Sequence, residues 1–290
     1  MRRLVPILMA AMLAACGGRG DEAAIVLYDN SFSVAIIADN SDGITSPDGL
    51  LWADGVLYIA DEGGSAIRKL EGAVLTTLAD KSSGIISPED LRLSADGTLY
   101  FTDDSAGGLW RVTPRGAERV AGSEGMSESE GIAVDPAGGV DVGDGASGRV
   151  FHVSENGVSE ELIAARMSKP ESMVRAPDGS LFVADNRTDH LYRFTAGEAR
   201  REIMLPSDLS PESIALHGST LWITDSSNGR LYRMEQDGEP ETVALFLADF
   251  ANINGIAAAP NGRIFISIQS DLSAGEGYIV ALSPTAASKR

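Results

Sequence analysis

The stretch Ser46-Pro47-Asp48-Gly49-Leu50 recurs along the chain, and this repeat decides the fold. Its later copies read Ser87-Pro88-Glu89-Asp90-Leu91, Ser129-Glu130-Gly131-Ile132, Lys169-Pro170-Glu171-Ser172-Met173, Ser210-Pro211-Glu212-Ser213-Ile214 and Ile253-Asn254-Gly255-Ile256. Equivalent positions are spaced by 41, 41, 41, 41 and 42 residues. One position in each copy is polar: it holds a carboxylate five times and an asparagine once.

Each copy opens a run of short strands. A first strand of about five residues is followed by a turn such as Asp54-Gly55, a pair that favours the tight turns of β-hairpins. In the first unit the second strand is Leu57 to Asp61, the third is Ile67 to Leu70, and a more polar fourth is Ala73 to Leu78. Four antiparallel strands repeated six times predict an all-β, six-bladed β-propeller.

The last unit supplies three strands before the chain ends, Gly255 to Ala259, Arg263 to Ile268 and Tyr278 to Leu282. Ser33 to Ala38, near the other end, has the pattern of a strand. We therefore expect an N-terminal strand to close the last blade and to cover its open edge. Ala24 to Tyr28 is either an extra strand or a competitor for that blade.

Two sets of polar positions are expected on one face, because the first strand of a propeller blade begins where the second strand ends. The inner set is Asp48, Glu89, Glu130, Glu171, Glu212 and Asn254. The outer set ends the second strands and consists of Asp61, Asp103, Asp144, Asp185 and Asp225, with Ser267 in the sixth unit. We predict an architectural role for the outer set, since aspartate at a strand end accepts hydrogen bonds from the backbone of a turn.

Convergence of the inner set on the axis requires compensation of its charge. Two carboxylates about 6 Å apart repel by roughly 3 kcal/mol at an effective dielectric constant of about 20. Bound protons, a wide water-filled channel and a bound cation are all open as compensation. Oxygen-only donors favour a hard divalent ion, Ca²⁺ before Mg²⁺.

The turns, the second strands and the arginine in the third strands resemble NHL-repeat propellers over residues 33–285. The chain also resembles the senescence-marker-protein/gluconolactonase family, six-bladed enzymes that hydrolyse sugar lactones with a divalent metal on the axis. That family's ligands are a Glu, an Asn and an Asp, each at this blade position and followed by glycine. The resemblance implies a metal site made by the three inner residues that precede glycine, Glu130, Asn254 and Asp48.

This sequence departs from the family's pattern in two respects. The order Asp48, Glu130, Asn254 matches the family's blade spacing only after the ring is rotated by two blades. Glu212 stands where the family commonly has a substrate-contacting asparagine, while Glu89 and Glu171 add carboxylates to the funnel. The resemblance therefore supports a metal site on the axis more strongly than it supports a sugar-lactone substrate.

Residues 1–15 are interpreted as a lipoprotein signal peptide. Arg2 and Arg3 precede an apolar stretch that is too short to span a bilayer, and Leu13-Ala14-Ala15-Cys16 resembles a bacterial lipobox. Cys16 is the only cysteine, and we predict that it is lipidated rather than catalytic. Residues 16–23 would form a tether and residues 24–290 the propeller. No aspartate follows Cys16, so we expect the outer membrane, with the protein facing the periplasm.

Charge and histidine placement exclude several functions. The formal net charge is −19, and loss of residues 1–15 would make it −21, so nucleic acid is not an expected partner. His152, His190 and His217 fall away from the predicted axis, which disfavours histidine-dependent lactonases, zinc amidating lyases and quinone-dependent dehydrogenases. The dinucleotide-like run Gly143-Asp144-Gly145-Ala146-Ser147-Gly148 opens no helix. We expect a monomer whose membrane contact is the lipid alone.

Two functions of different classes remain open. The first is a lipid-anchored hydrolase in which Ca²⁺ at the inner ring polarises the carbonyl of a lactone or related ester. Asp48 or Glu212 would then act as general base toward water. The second is a noncatalytic propeller that binds a cationic ligand or a protein partner through its acidic funnel.

Overall fold

A computed structural model describes residues 24–154, 156–157, 159–163, 167–236, 238–247, 252–269 and 276–285. The predicted signal peptide, the tether and Cys16 lie outside the described residues, so lipidation stays a prediction. Within the described ranges there is no apolar helix of membrane-spanning length.

The described residues form 25 strands in six antiparallel sheets, which confirms the six-bladed propeller. The N-terminal strands are β1 (Ile25–Leu27) and β2 (Phe32–Asp39). Blade 1 contains β3 (Pro47–Ala53), β4 (Val56–Asp61), β5 (Ala66–Glu71) and β6 (Val74–Ala79). Blade 2 contains β7 (Pro88–Leu93), β8 (Leu99–Asp103), β9 (Leu109–Thr113) and β10 (Gly116–Arg119). Blade 3 contains β11 (Ser129–Val134), β12 (Val140–Asp144), β13 (Arg149–Val153) and β14 (Ser159–Ile163).

The second half of the ring repeats this arrangement. Blade 4 contains β15 (Pro170–Arg175), β16 (Leu181–Asp185), β17 (His190–Phe194) and β18 (Arg201–Met204). Blade 5 contains β19 (Ile214–His217), β20 (Thr220–Asp225), β21 (Arg230–Glu235) and β22 (Glu241–Phe246). Blade 6 contains β23 (Ile253–Ala258), β24 (Ile264–Gln269) and β25 (Gly277–Pro284).

Both N-terminal strands join blades from the end of the chain. Strand β2 pairs antiparallel with β25, so the sheet of blade 6 has the order β2-β25-β24-β23. Strand β1 pairs with β22 and adds a fifth strand to blade 5. The segment around β1 therefore does not compete for blade 6. The inner strands contact one another in turn around the axis, and β23 contacts β3.

The core of the described residues lies between the blades. Each of six hydrophobic clusters joins two neighbouring blades, and the cluster between blades 6 and 1 holds Leu50, Ile59 and Phe265. Stacking of Trp52 on Phe265, with ring centroids 4.9 Å apart, adds an aromatic contact to that interface. Both faces of an inner sheet are thus buried, which explains why runs such as Leu181 to Asp185 are almost wholly apolar.

The outer aspartates hold the loops that lead into the inner strands. Buried Asp103 accepts hydrogen bonds from the backbone N–H groups of Ile86, Ser87 and Ala106 at 2.9, 3.1 and 2.7 Å. Asp61, Asp144, Asp185 and Asp225 likewise accept from the backbone of the loop before their own inner strand. This geometry agrees with the predicted architectural role.

The register of blade 6 differs from the prediction by one residue. Ile268 pairs with Ile253 as Asp103 pairs with Pro88, so Ile268 and not Ser267 occupies the outer position. Ser267 instead corresponds to Thr102 and Thr224. All three hydroxyls donate to the backbone carbonyl of the ring residue in the next blade, which is Asp48, Glu130 or Asn254. The outer position of the sixth unit is therefore an isoleucine, and this unit has no outer aspartate.

We expect Asp103→Ala to lower the free energy of unfolding by about 3 kcal/mol, because it leaves buried N–H groups without an acceptor. Urea denaturation measures the change. Asp96→Ala is the matched control, since Asp96 is exposed and accepts from Ser94 and Thr98, and about 1 kcal/mol is expected there. Equal losses in the two variants would contradict an architectural role for Asp103.

Candidate functional site

The ring residues lie in irregular positions of the inner strands. In blades 1, 2, 3, 4 and 6 the pairing register shifts by one residue at Asp48, Glu89, Glu130, Glu171 and Asn254. Such β-bulges change the direction of a side chain and occur next to functional sites. Glu212 lies just ahead of β19 and is fixed by its N–H bond to the carbonyl of Thr224 at 2.9 Å.

The glycines that follow three ring residues have a packing role. A Cβ atom at Gly49 would lie 2.2 Å from the carbonyl oxygen of Glu89, and one at Gly255 would lie 2.2 Å from that of Asp48. At Gly131 it would lie 2.8 Å from the Cα atom of Ser172. Glycine is therefore needed where neighbouring inner strands approach closely, and it does not by itself mark a metal ligand.

Asp48 and Asn254, two members of the predicted metal triad, are in contact. The Nδ2 atom of Asn254 donates to Oδ2 of Asp48 at 3.3 Å, and Nε2 of Gln269 donates to the same oxygen at 3.4 Å. Gln269 also donates to Oε2 of Glu62 at 3.0 Å. Two side-chain amides thus orient the carboxylate of Asp48.

Glu130, the third member of the triad, is paired with a lysine. The Nζ atom of Lys169 lies 3.1 Å from Oε1 of Glu130 and 2.8 Å from Oε2 of Glu171. Lys169 stands two residues before Glu171 in the loop that enters blade 4. It is a cation already in place between two carboxylates of the ring.

Glu212 and Glu89 differ in their partners. Oε2 of Glu212 accepts from Nδ2 of Asn186 at 3.1 Å and from Oγ of Ser226 at 2.7 Å. The carboxylate of Glu89 has neither a hydrogen bond nor an ion pair with any residue that the structure describes. Glu212 is therefore held in one orientation, while Glu89 is free to take a ligand.

A narrow cavity lies on the axis between these side chains. Its volume is about 10 Å³, room for about one water-sized body, and it is lined by Asp48, Gly49, Glu89, Asp90, Glu171, Ser172, Glu212 and Ser213. Arg92 closes it toward the opposite face, because Nη2 reaches from blade 2 to the carbonyl of Met173 in blade 4 at 2.8 Å. The cavity therefore opens on the face that carries the acidic ring.

The pKa values of four ring carboxylates are raised by burial and by the negative charges around them. Burial, together with the charges of Glu212 and Glu62, raises the pKa of Asp48 well above its ordinary value. Burial and the charge of Asp48 do the same for Glu89, and burial and the charge of Glu130 for Glu171. Burial raises the pKa of Glu130 to about 7 although Lys169 opposes the rise. Burial disfavours the charge of Lys169, but the two glutamates outweigh it and raise its pKa.

A second tier of polar side chains surrounds the mouth of the cavity and was missed in the sequence. These mouth residues each follow the outer position directly; they are Glu62, Asp104, Asn186, Ser226 and Gln269, and blade 3 has Gly145 at this position. Glu62, Asn186, Ser226 and Gln269 form hydrogen bonds to ring residues, to one another or to the loop before an inner strand. Their place directly after the outer position, which is an aspartate in five of the six units, is the signal that could have identified them.

Two other features lie away from the ring. Asp135, Asp141 and His152 group at the far end of blade 3, but the Arg175 guanidinium forms ion pairs with both aspartates and occupies the place of a cation. A cleft of about 510 Å³ lies at the hairpins of blades 1, 5 and 6, with His217 in its wall. The Nδ1–H group of His190, at the start of β17, donates to the backbone carbonyl of Thr188. None of the histidines lines the axial cavity.

The donors around the axis fit a hard cation. Carboxylate oxygens dominate, and Asn254 and Gln269 contribute amides, which is the chemistry that Ca²⁺ and Mg²⁺ prefer. Oδ2 of Asp90 has no hydrogen-bond donor, although the residue is only 7% exposed. An unpaired buried carboxylate oxygen is costly without a cation or a proton. Which ring members act as ligands, and whether Asp48 or Glu212 is catalytic, stay predictions.

Comparison with solved structures finds other propellers of this kind. A gluconolactonase from Xanthomonas campestris has a TM-score of 0.71 at 15% identity, over 88% of this chain and 91% of that one. A calcium-binding regucalcin from Agrobacterium tumefaciens has a TM-score of 0.66 at 15% identity, over 88% and 96%. A virginiamycin B lyase from Staphylococcus aureus has a TM-score of 0.64 at 16% identity, over 87% and 99%. The likeness shows the fold.

The activity does not follow from this likeness, because proteins with different described activities share the fold at such low identity. No protein-family model matches the chain. No curated protein matches it at a significant level either. Function must therefore be argued from the axial site itself.

We expect Gly49→Ala to lower the free energy of unfolding by about 3 kcal/mol, because the added methyl group collides with the backbone of Glu89. Gly125→Ala is the matched control, since a Cβ atom there meets nothing within 4 Å. Chemical denaturation measures both. If the two variants were equally stable, the close approach of inner strands would not be the reason for the glycine.

The metal-free protein should become more stable as the pH falls from about 8 to about 6. The raised pKa values of the ring acids mean that the folded protein binds more protons than the unfolded one in this range, so acidification favours the fold. Thermal unfolding in the presence of a chelator measures the effect. Glu130→Gln should reduce it, because the pKa of Glu130 is about 7. A melting temperature that falls over this range would contradict the clustering of buried acids.

Proposed function

We propose that this protein is a hydrolase of a lactone or related ester, assisted by a divalent cation, Ca²⁺ or another hard ion, at the axial ring. The observation that carries the proposal is the convergence of Asp48, Glu89, Glu171 and Glu212 on a cavity large enough for a single ion. A bound divalent cation would polarise the carbonyl of the substrate.

Of the two candidate bases, Glu212 and Asp48, Glu212 is the better positioned to act as general base. Asn186 and Ser226 both donate to Oε2, which fixes the carboxylate and leaves Oε1 without a hydrogen bond among the described residues. A water molecule next to Oε1 would lose its proton to Glu212 as it attacks the carbonyl carbon. The ring C–O bond of the lactone then breaks, and the proton passes to the leaving alkoxide to give a hydroxy acid.

Asp48 is the weaker choice for this role. Burial and the charges of Glu212 and Glu62 raise its pKa, which favours its protonated form and weakens it as an acceptor for the proton of water. Amide donors from Asn254 and Gln269 engage the same oxygen, Oδ2. This arrangement is better suited to a cation ligand than to a base.

The substrate would lie at the mouth, because the axial cavity itself is too small for a lactone ring. Asn186, Ser226 and Gln269 offer amide and hydroxyl groups at that level, which are suited to the hydroxyls of a sugar lactone. The gluconolactonase from Xanthomonas campestris has the same fold, which supports testing aldonolactones first.

A panel of aldonolactones should be hydrolysed in the presence of Ca²⁺ and not in excess chelator. Glu212→Gln should lower kcat by about 100-fold or more, since the amide cannot accept the proton of water. Glu118→Gln is the control, because Glu118 lies exposed on β10 and pairs with Arg111, far from the axis. The proposal fails if chelator and Glu212→Gln both leave hydrolysis unchanged.

The size of the cavity also favours a second function, binding of a cationic ligand without catalysis. One ammonium group could replace a metal ion among the carboxylates, as Lys169 does between Glu130 and Glu171. If no lactone or ester is hydrolysed while a polyamine or a lysine-rich peptide raises the melting temperature, this function replaces the first.

A further inference from the structure

Lys169 makes the two sides of the axial ring different in charge. Six residues stand two places before a ring member, and Lys169 alone among them is a cation; the others are Ser46, Ser87, Glu128, Ser210 and Asn252. Its ammonium lies within 3.1 Å of oxygens of both Glu130 and Glu171. Glu130 and Glu171, in blades 3 and 4, therefore share one ammonium group that the protein itself supplies.

Among the carboxylates of blades 1 and 2, Asp90 is paired with Arg92 at 2.6 Å, whereas Asp48 and Glu89 have no cationic partner within the described residues. Glu89 has no hydrogen bond or ion pair with the described part of the chain. Asp90 uses Oδ1 for Nη1 of Arg92 and the N–H of Leu91, at 2.6 and 2.8 Å, and its Oδ2 has no donor. The register shift between Pro88 and Leu91 is the reason that two consecutive acids both line the cavity.

The lining of the cavity includes both consecutive acids of blade 2. Asp48, Glu89 and Asp90 line it, as do Glu171 and Glu212, whereas Glu130 and Asn254 do not. Asn254 instead donates through Nδ2 to Asp48, so its amide orients a ligand. Asp90 also lines this space and is only 7% exposed, and its Oδ2 has no hydrogen-bond donor within the described part of the chain.

We propose that the axial cation is held by Asp48, Glu89 and Asp90, and that Lys169 takes the place of a metal ion at Glu130 and Glu171. The inference rests on the divalent cation of the proposed function and changes its ligands. Three carboxylates from two neighbouring blades supply hard, negatively charged oxygens to one side of the ion. Lys169 keeps a second divalent ion away from the other side, because it adds a positive charge there.

Calorimetric titration with Ca²⁺ alone tests the ligand set. Glu89→Gln should weaken the affinity at least tenfold, which is about 1.4 kcal/mol. Glu130→Gln should change it less than about twofold, because Glu130 binds Lys169. Lys169→Met should bind Ca²⁺ at least tenfold more tightly than the wild type or take up a second equivalent, since it exposes two uncompensated glutamates. Glu118→Gln is again the surface control.

Thermal unfolding in chelator gives a second readout that shows whether each variant folds. Glu89→Gln should melt higher than the wild type without Ca²⁺, because it removes a repelled charge, and should lose most of the increase that Ca²⁺ produces. The inference is overturned if Glu130→Gln abolishes Ca²⁺ binding while Glu89→Gln retains it. It is also overturned if the wild type takes up no Ca²⁺ or if Lys169→Met binds Ca²⁺ as the wild type does.

These outcomes are separate from the failure of the hydrolase proposal. Ca²⁺ binding that depends on Glu89, without hydrolysis of any lactone, would leave the ligand assignment intact and remove the activity. Chelator-sensitive hydrolysis that survives Glu89→Gln and is lost in Glu130→Gln would support the activity and refute the assignment.

Discussion

Repulsion among carboxylates on the axis is the constraint on which the site depends. The fold imposes it, because outer aspartates such as Asp103 hold the entry loops by backbone hydrogen bonds, and β-bulges in five of the six blades then present a ring residue. Close packing of the inner strands leaves little room for water between the charges, because the cavity between them has a volume of only about 10 Å³. A structure of this kind needs cations or protons to be stable near neutral pH.

The protein compensates this charge unevenly. Lys169 neutralises the side that carries Glu130 and Glu171, and Arg92 closes the floor while binding one oxygen of Asp90. Amides from Asn254 and Gln269 reach Asp48, and Glu212 is held by Asn186 and Ser226. Glu89 and one oxygen of Asp90 are left as the acids without a partner in the described structure. A single polar ring thus separates into a compensated half and a half that is suited to bind a cation.

Much of the fold could be predicted from the sequence because the repeat is long and regular. The second strands of blades 2 and 4, for example, have the predicted ends at Asp103 and Asp185. The one-residue error at Ser267 arose because Ile268 replaces the outer aspartate, and a broken pattern gives no register by itself. Pairing of β1 with β22 depends on packing between distant segments, which periodicity does not reveal.

Less of the candidate site than of the fold could be predicted from the sequence. The repeat locates the six ring positions in the inner strands, and their roles as metal ligands stay a prediction. The glycines that follow three of them are explained by backbone packing between inner strands. The ion pairs of Lys169 could not be predicted from the sequence, because they depend on where Nζ lies relative to Glu130 in another blade. The mouth residues carry no distinctive composition, and only their common position after the second strand relates them.

A crystal structure of the protein grown with Ca²⁺ tests the central claim most directly. We expect one ion on the axis, with oxygens of Asp48, Glu89 and Asp90 at about 2.3–2.6 Å and with Lys169 still paired to Glu130. An ion bound by Glu130 and Asn254, with Lys169 displaced, would contradict it. So would an axis without an ion at saturating Ca²⁺.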